Sequence, residues 1–252
     1  MSPVLVALLR EWYVGLKSPR TILQHLLSPL MYLLVFAPTM AAALPAITWR
    51  GEPVPYLAYI VPGLMAVTSV SIGNGVGISI YIDKLTGELE MLFGLPMHRM
   101  VLVAGLCGNA AVRAGLAGVF IWAVVVFLAP ELLLAGLPAI AGSLLVLMAS
   151  AVAWTLLSVV LACLIRSQET YNLAVNLLQL PIVLTSSVFY SPDYGPAATR
   201  WIARINPLSF AADLIRTLAA GRLPLWSDVV GLAVFLVGML GLAALAINRA
   251  IE

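Results

Sequence analysis

Six stretches of this chain are long and apolar enough to cross a hydrocarbon layer: residues 22–46, 57–82, 100–128, 137–165, 171–190 and 229–247. A helix rises about 1.5 Å per residue, so roughly 20 apolar residues bridge a bilayer core about 30 Å thick. Inside lipid the backbone must satisfy its own hydrogen bonds, and a continuous helix does so. Composition agrees: 62% of the 252 residues are hydrophobic and 10% are charged, against about 25% charged in a soluble domain. The expectation is a single all-α membrane domain over 1–252, with six transmembrane helices. A net charge of +2 gives no reason to invoke nucleic acid. Cys107 and Cys163 both fall inside apolar stretches, where a thiol acts as a small hydrophobe.

The segments outside these stretches carry most of the remaining information. In residues 1–20, Leu5, Leu8, Leu9, Trp12 and Leu16 recur at helical spacing, while Arg10, Glu11 and Lys17 lie largely off that stripe. These charges interrupt what would be the apolar core of a signal peptide. They suit an amphipathic helix in the membrane interface, or an extension of the first transmembrane helix. The first stretch holds His25, Pro29, Pro38 and Pro45, which predicts a kinked helix or one buried against protein. Arg10, Lys17, Arg20, Lys84, Arg99, Arg166 and Arg249 share one side if both termini do, which makes that side cytoplasmic. Arg50 is the only basic residue of the short loops opposite, but Arg200, Arg204, Arg216 and Arg222 crowd the last outer segment and require an explanation. That segment, 191–228, reads as two short helices broken at Asn206-Pro207 and closed by Gly221 and Pro224. It is either a re-entrant hairpin in the outer leaflet or a surface loop.

Tests for catalysis find little. His25 and His98 have no Cys or His neighbour at metal-ligand spacing, and no Walker A sequence or nucleophile elbow is present. Gly73, Gly75 and Gly77 lie within an apolar stretch, where glycines serve close helix packing better than phosphate binding. A charge at mid-membrane costs at least about 2.5–3.5 kcal/mol, which singles out Arg113. It is either a cation lining a pathway or subunit interface, or half of a structural pair. The connection 83–99 contains a short acidic and apolar helical segment, Glu88, Glu90, Met91, Leu92 and Phe93, stopped by Gly94 and Pro96. By composition alone it is a capped loop; held between two spans, it is also a suitable lever for a partner.

Two segments resemble the ABC-2 family of ABC-transporter permeases, the group of drug, nodulation-factor and polysaccharide exporters. One is the loop 83–99 continuing to Gly105. The other, more specific, is the stretch from Pro181 to Tyr190, then Trp201, Asn206-Pro207-Leu208-Ser209-Phe210, Asp213 and Arg216. The resemblance covers essentially the whole chain. It implies a coupling helix at Glu88, Glu90, Met91, Leu92 and Phe93, docked on a cytosolic ATPase subunit present in two copies. It implies an outer gate at Trp201, Asn206, Pro207, Asp213 and Arg216. A homodimer in the lipid of a prokaryotic cytoplasmic membrane would carry its pathway between the first, second and fifth spans. Tyr32, Phe36, Arg113, Phe189 and Tyr190 are the pathway candidates.

No cofactor is expected on this chain, with ATP and Mg held by the partner ATPase. Few aromatics occupy the candidate lining (Tyr32, Phe36, Tyr171, Phe189 and Tyr190), which tilts the expected cargo from a sugar polymer toward an amphipathic drug or lipid. Two other classes compete. An intramembrane lipid-modifying enzyme needs converging polar groups at one depth. An ion-driven transporter usually shows internal repeats and mid-membrane carboxylates, whereas Asp83 and Glu169 sit at span ends.

Overall fold

The structure, a computed structural model, describes residue 27 and residues 30–87, 99–130, 136–165 and 167–249. The interfacial segment 1–20, the coupling residues Glu88, Glu90, Met91, Leu92 and Phe93, and both histidines lie outside the described residues.

The first described helix, α1 (Tyr32–Ala43), opens with a widened π-turn over Tyr32–Phe36, closed by the Ala37 N–H donating to the Tyr32 carbonyl. Pro38 has no N–H for the ladder, and the change of helical pitch falls at that position. Helix stops at Ala43, and Leu44 and Pro45 lead into an antiparallel β-hairpin of β1 (Ala46–Trp49) and β2 (Glu52–Pro55). Arg50 and Gly51 make its turn with φ of 51° and 81°. Two successive left-handed residues are what a two-residue type I′ hairpin loop requires. The hairpin corrects the all-α expectation, and the first apolar stretch ends its helix before residue 46. Ile47, Thr48 and Val54 are β-branched, and Pro53 and Pro55 are tolerated because a two-stranded ribbon consists only of edges.

Four helices are long and apolar enough to cross a membrane: α2 (Tyr56–Leu85), α3 (Arg99–Leu128), α4 (Gly136–Leu164) and α8 (Trp226–Arg249). Their bounds fall within a few residues of those expected from the second, third, fourth and sixth stretches. Between α4 and α8 come α5 (Gln168–Leu184), α6 (Ala197–Ile205) and α7 (Pro207–Ala219). Among the described residues, therefore, four helices rather than six reach spanning length. The fifth stretch, expected as helix to 190, stops at Leu184. Ser167 accepts from the Thr170 N–H to start α5. Past its end, the hydroxyls of Thr185 and Ser186 bond back to the carbonyls of Pro181 and Val183. Hydroxyls that bond locally to backbone compete with continued helix.

The core is built on α2 against α4. A Cβ at Gly73 would lie 2.4 Å from the Trp154 Cβ, and one at Gly77 2.1 Å from the Ser158 Cβ. The two backbones touch because these positions have no side chain, which bears out the packing reading of Gly73 and Gly77. Hydroxyls seal the same seam, with Ser69 and Ser150 2.8 Å apart. α3 packs on α2 and α4, α8 packs on α4, and α7 wedges among α2, α4 and α8. α5 holds to the bundle by a narrow strip. Tyr171 stacks on Tyr81 at 5.2 Å, and Gln179 accepts from Asn74 at 2.9 Å. Leu173, Leu177, Leu180 and Leu184 form an apolar face on α5 that no other described residue covers.

Candidate functional site

At the hairpin end of the bundle a polar cluster forms around Arg216. It sits on the buried side of α7, with 2% of its surface exposed. Its Nε donates to the Tyr59 carbonyl at 3.0 Å, its Nη2 to the Ser187 carbonyl at 3.0 Å, and its Nη1 to Asp213, one turn earlier. The guanidinium plane lies 3.7 Å from the centre of the Tyr59 ring, whose hydroxyl donates to the same Ser187 carbonyl at 2.6 Å. A buried charge is tolerable only when paired and hydrogen-bonded, and Arg216 has a carboxylate, two carbonyls and a ring face. The arginines crowding 191–228 are explained in part by partners. Arg216 pairs with Asp213, and Arg222 pairs with Glu52 across the hairpin. Arg50, on the hairpin turn, pairs with Asp228 at 2.6 Å and donates to Thr217.

Asn206 and Pro207 form the corner between α6 and α7. The Asn206 side chain accepts from the Leu208 N–H at 2.9 Å, as an N-cap does, and Pro207 takes the first helical position, which needs no N–H. The Asn206 amide also donates to the Ile182 carbonyl at 2.7 Å and to Thr185 at 3.2 Å. The corner is thereby fastened to the end of α5. Ser187 ties the same segment to α7, its N–H donating to the Ser209 hydroxyl at 3.0 Å and its hydroxyl to Asp213 at 3.1 Å. Of the expected outer group, Asn206, Pro207, Asp213 and Arg216 gather here. Trp201 does not: it is exposed on α6, with Arg204 over its ring. Beside the cluster opens a cavity of about 450 Å³, bordered by Arg50, Asp193, Arg200, Arg204, Asp213 and Asp228.

Tyr32, Phe36 and Phe189 come together as a trio of rings with centroids 5.8 to 6.0 Å apart. An apolar hollow runs beside it along Met31, Tyr32, Val35, Phe36 and Thr39. Tyr190 lies next in sequence, its hydroxyl donating to the Leu184 carbonyl. Arg113 belongs to another part of the bundle, on α3, where its Nε donates to Asn109 at 2.8 Å. Sequence reasoning missed Trp49, Tyr59 and Asp228, noted Ser187 only as part of the stretch 181–190, and counted Arg50 only toward orientation. The available signal was a lone outer cation and an acidic residue opening the last span. It also missed Asn74, which accepts from Ser158 at 2.8 Å while donating to Gln179.

The match that decides the family runs from residue 3 to 219, against the description "ABC-2 type transporter". The chain belongs to the ABC-2 type transporter family. Nodulation protein J of Rhizobium leguminosarum bv. trifolii is 27% identical over 224 residues, covering 86% of this chain and 81% of that protein. The inner membrane transport permease YadH of Escherichia coli (strain K12) is 25% identical over 186 residues, 72% of this chain and 71% of its own length. The putative transport permease ycf38 of Cyanophora paradoxa is 24% identical, covering 85% and 73% respectively. The matched ABC-2 region takes in every helix from α1 to α7, the cluster around Arg216 and the aromatic trio. This ABC-2 chain is a membrane permease, with four described helices long and apolar enough to cross a bilayer.

Proposed function

We propose that the chain is the transmembrane subunit of an ATP-driven exporter, working as a homodimer with two copies of a cytosolic ATPase that holds ATP and Mg. The observation that carries this reading is the ABC-2 match over residues 3–219. Two relatives named as transport permeases support it, one of them an inner membrane protein. In this reading α1 and α5 complete six spans, and both termini face the cytoplasm of a prokaryotic inner membrane. α6 and α7 form the outer re-entrant hairpin, with Asn206, Pro207, Asp213 and Arg216 at the exit and Trp201 on the exposed outer face of α6. The bare leucine face of α5 and the rings of Tyr32, Phe36 and Phe189 form the wall that a second copy completes. Cargo is amphipathic (drug-like, lipid or glycolipid) and passes by alternating access, driven by its different affinity for two states.

Force enters through Glu88, Glu90, Met91, Leu92 and Phe93, just beyond the C-terminal end of α2. The test is to purify the chain with any ABC ATPase encoded next to it and measure hydrolysis. The Glu88→Ala/Phe93→Ala variant is expected to keep its dimer and lose stimulation of the ATPase. If the wild-type chain neither binds nor stimulates that ATPase, the exporter reading fails.

A further inference from the structure

The cavity beside Arg216 and the helix that roofs it have a chemistry of their own. α6 carries Arg200 and Arg204 one turn apart and no acidic residue. Both arginines border the cavity, and neither side chain has a carboxylate partner among the described residues. Their neighbours on the helix are apolar and bare: Trp201 is 68% exposed and Ile205 72%. At the same end of the bundle Tyr194 and Trp226 are also exposed, at 68% and 79%, the latter as the first residue of a spanning helix. Tyr and Trp collect at headgroup depth, and a basic amphipathic helix lies flat at that depth with its cations at the phosphates.

We infer that α6 is a lipid-binding interfacial helix, whose Arg200 and Arg204 hold the phosphate of an anionic phospholipid with its headgroup at the 450 Å³ cavity. Trp201, Ile202 and Ile205 bury beside the acyl chains. α7, by contrast, is the limb packed against protein. Charge supports this occupant over a second copy of the chain, because two such faces would bring four unpaired arginines together. On the cavity wall Arg50 pairs with Asp228, Asp213 pairs with Arg216 and Asp193 accepts from the Ser191 hydroxyl, so none of these carboxylates is bonded to the α6 cations. The inference rests on the membrane placement of the chain but not on its coupling to an ATPase.

The full chain, reconstituted in phosphatidylcholine nanodiscs containing some phosphatidylglycerol, provides the test. Phosphatidylglycerol retained on detergent extraction is measured by mass spectrometry. One arginine near an anionic surface strengthens binding about fivefold, so Arg200→Gln with Arg204→Gln is expected to lower retention about twentyfold. The matching pair of lysine variants should keep most of it. Trp201 emission, isolated by difference from Trp201→Phe, should be quenched by lipids brominated near the headgroup. If the double variant fails to fold, Arg200→Gln alone must still lower retention about fivefold. Equal retention by wild type and the glutamine variants overturns the inference. So does displacement of the lipid by inorganic phosphate, which would assign the cations to a soluble anion. An unquenched Trp201, or α6 crosslinked to a second copy, overturns it as well. None of these readouts requires the ATPase, so this inference and the exporter reading fail separately.

Discussion

Arg216 shows what one buried charge requires of its surroundings. Removing one partner of a buried ion pair costs about 3–5 kcal/mol, because the other stays buried and uncompensated. Arg216→Met should therefore cost that much in denaturant-titrated unfolding, and adding Asp213→Leu should recover part of the loss. A double variant no better than the single one would mean that Asp213 is not the group left stranded. Asn206 separates two roles in one side chain. Asn206→Asp keeps the oxygen that caps α7 but loses the donor to Ile182, whereas Asn206→Ala loses both. Alanine is expected to cost about 1–2 kcal/mol, and aspartate at least as much despite keeping the cap, because its second oxygen would face the Ile182 carbonyl at a buried site. At this scale the sequence was only partly readable. Asp213 and Arg216 stand three apart and can be paired by inspection, but nothing local joins Arg50 to Asp228, 178 positions away.

Elements were more legible where they were long. Runs of apolar residues fix α2, α3, α4 and α8 because lipid rewards hydrophobicity around the whole circumference, so no fine pattern has to be decoded. The Asn-Pro corner between α6 and α7 was legible for the opposite reason, since proline forbids a continuous ladder. The hairpin escaped notice because each strand is four residues long and its signal is the backbone sign at Arg50 and Gly51. The end of α5 escaped because the hydroxyls of Thr185 and Ser186, not a proline, mark it.

Two predictions belong to this scale. Gly77→Ala is expected to destabilise by about 1–3 kcal/mol through overpacking of α2 on α4. Gly238→Ala on α8, where nothing lies within 4 Å of a new Cβ, is the neutral control, and equal effects in thermal unfolding would refute close packing at Gly77. Gln179→Leu loosens α5 by about 0.6 kcal/mol, the average for a hydrogen bond within a membrane. Asn74 keeps its bond from Ser158. A loss above about 2 kcal/mol in the same titration would show that α5 is anchored by more than its narrow strip.

For the molecule as a whole, membrane residence and family could be read from sequence, because both reside in long segments and a contiguous block of residues. The assembly of the hairpin end could not, since its pieces come from positions 49 to 59, 182 to 191 and 206 to 228. These meet only in three dimensions. The bonds Arg50–Asp228 and Glu52–Arg222 join the first loop to the last across 178 and 170 positions. A ribosome must therefore deliver the residues up to 228 before the hairpin meets both counter-charges. Until then Arg50 and Glu52 lack these partners, and a product truncated before residue 222 could form neither bond. The order of synthesis thus places this closure after α1 to α7 have all been made.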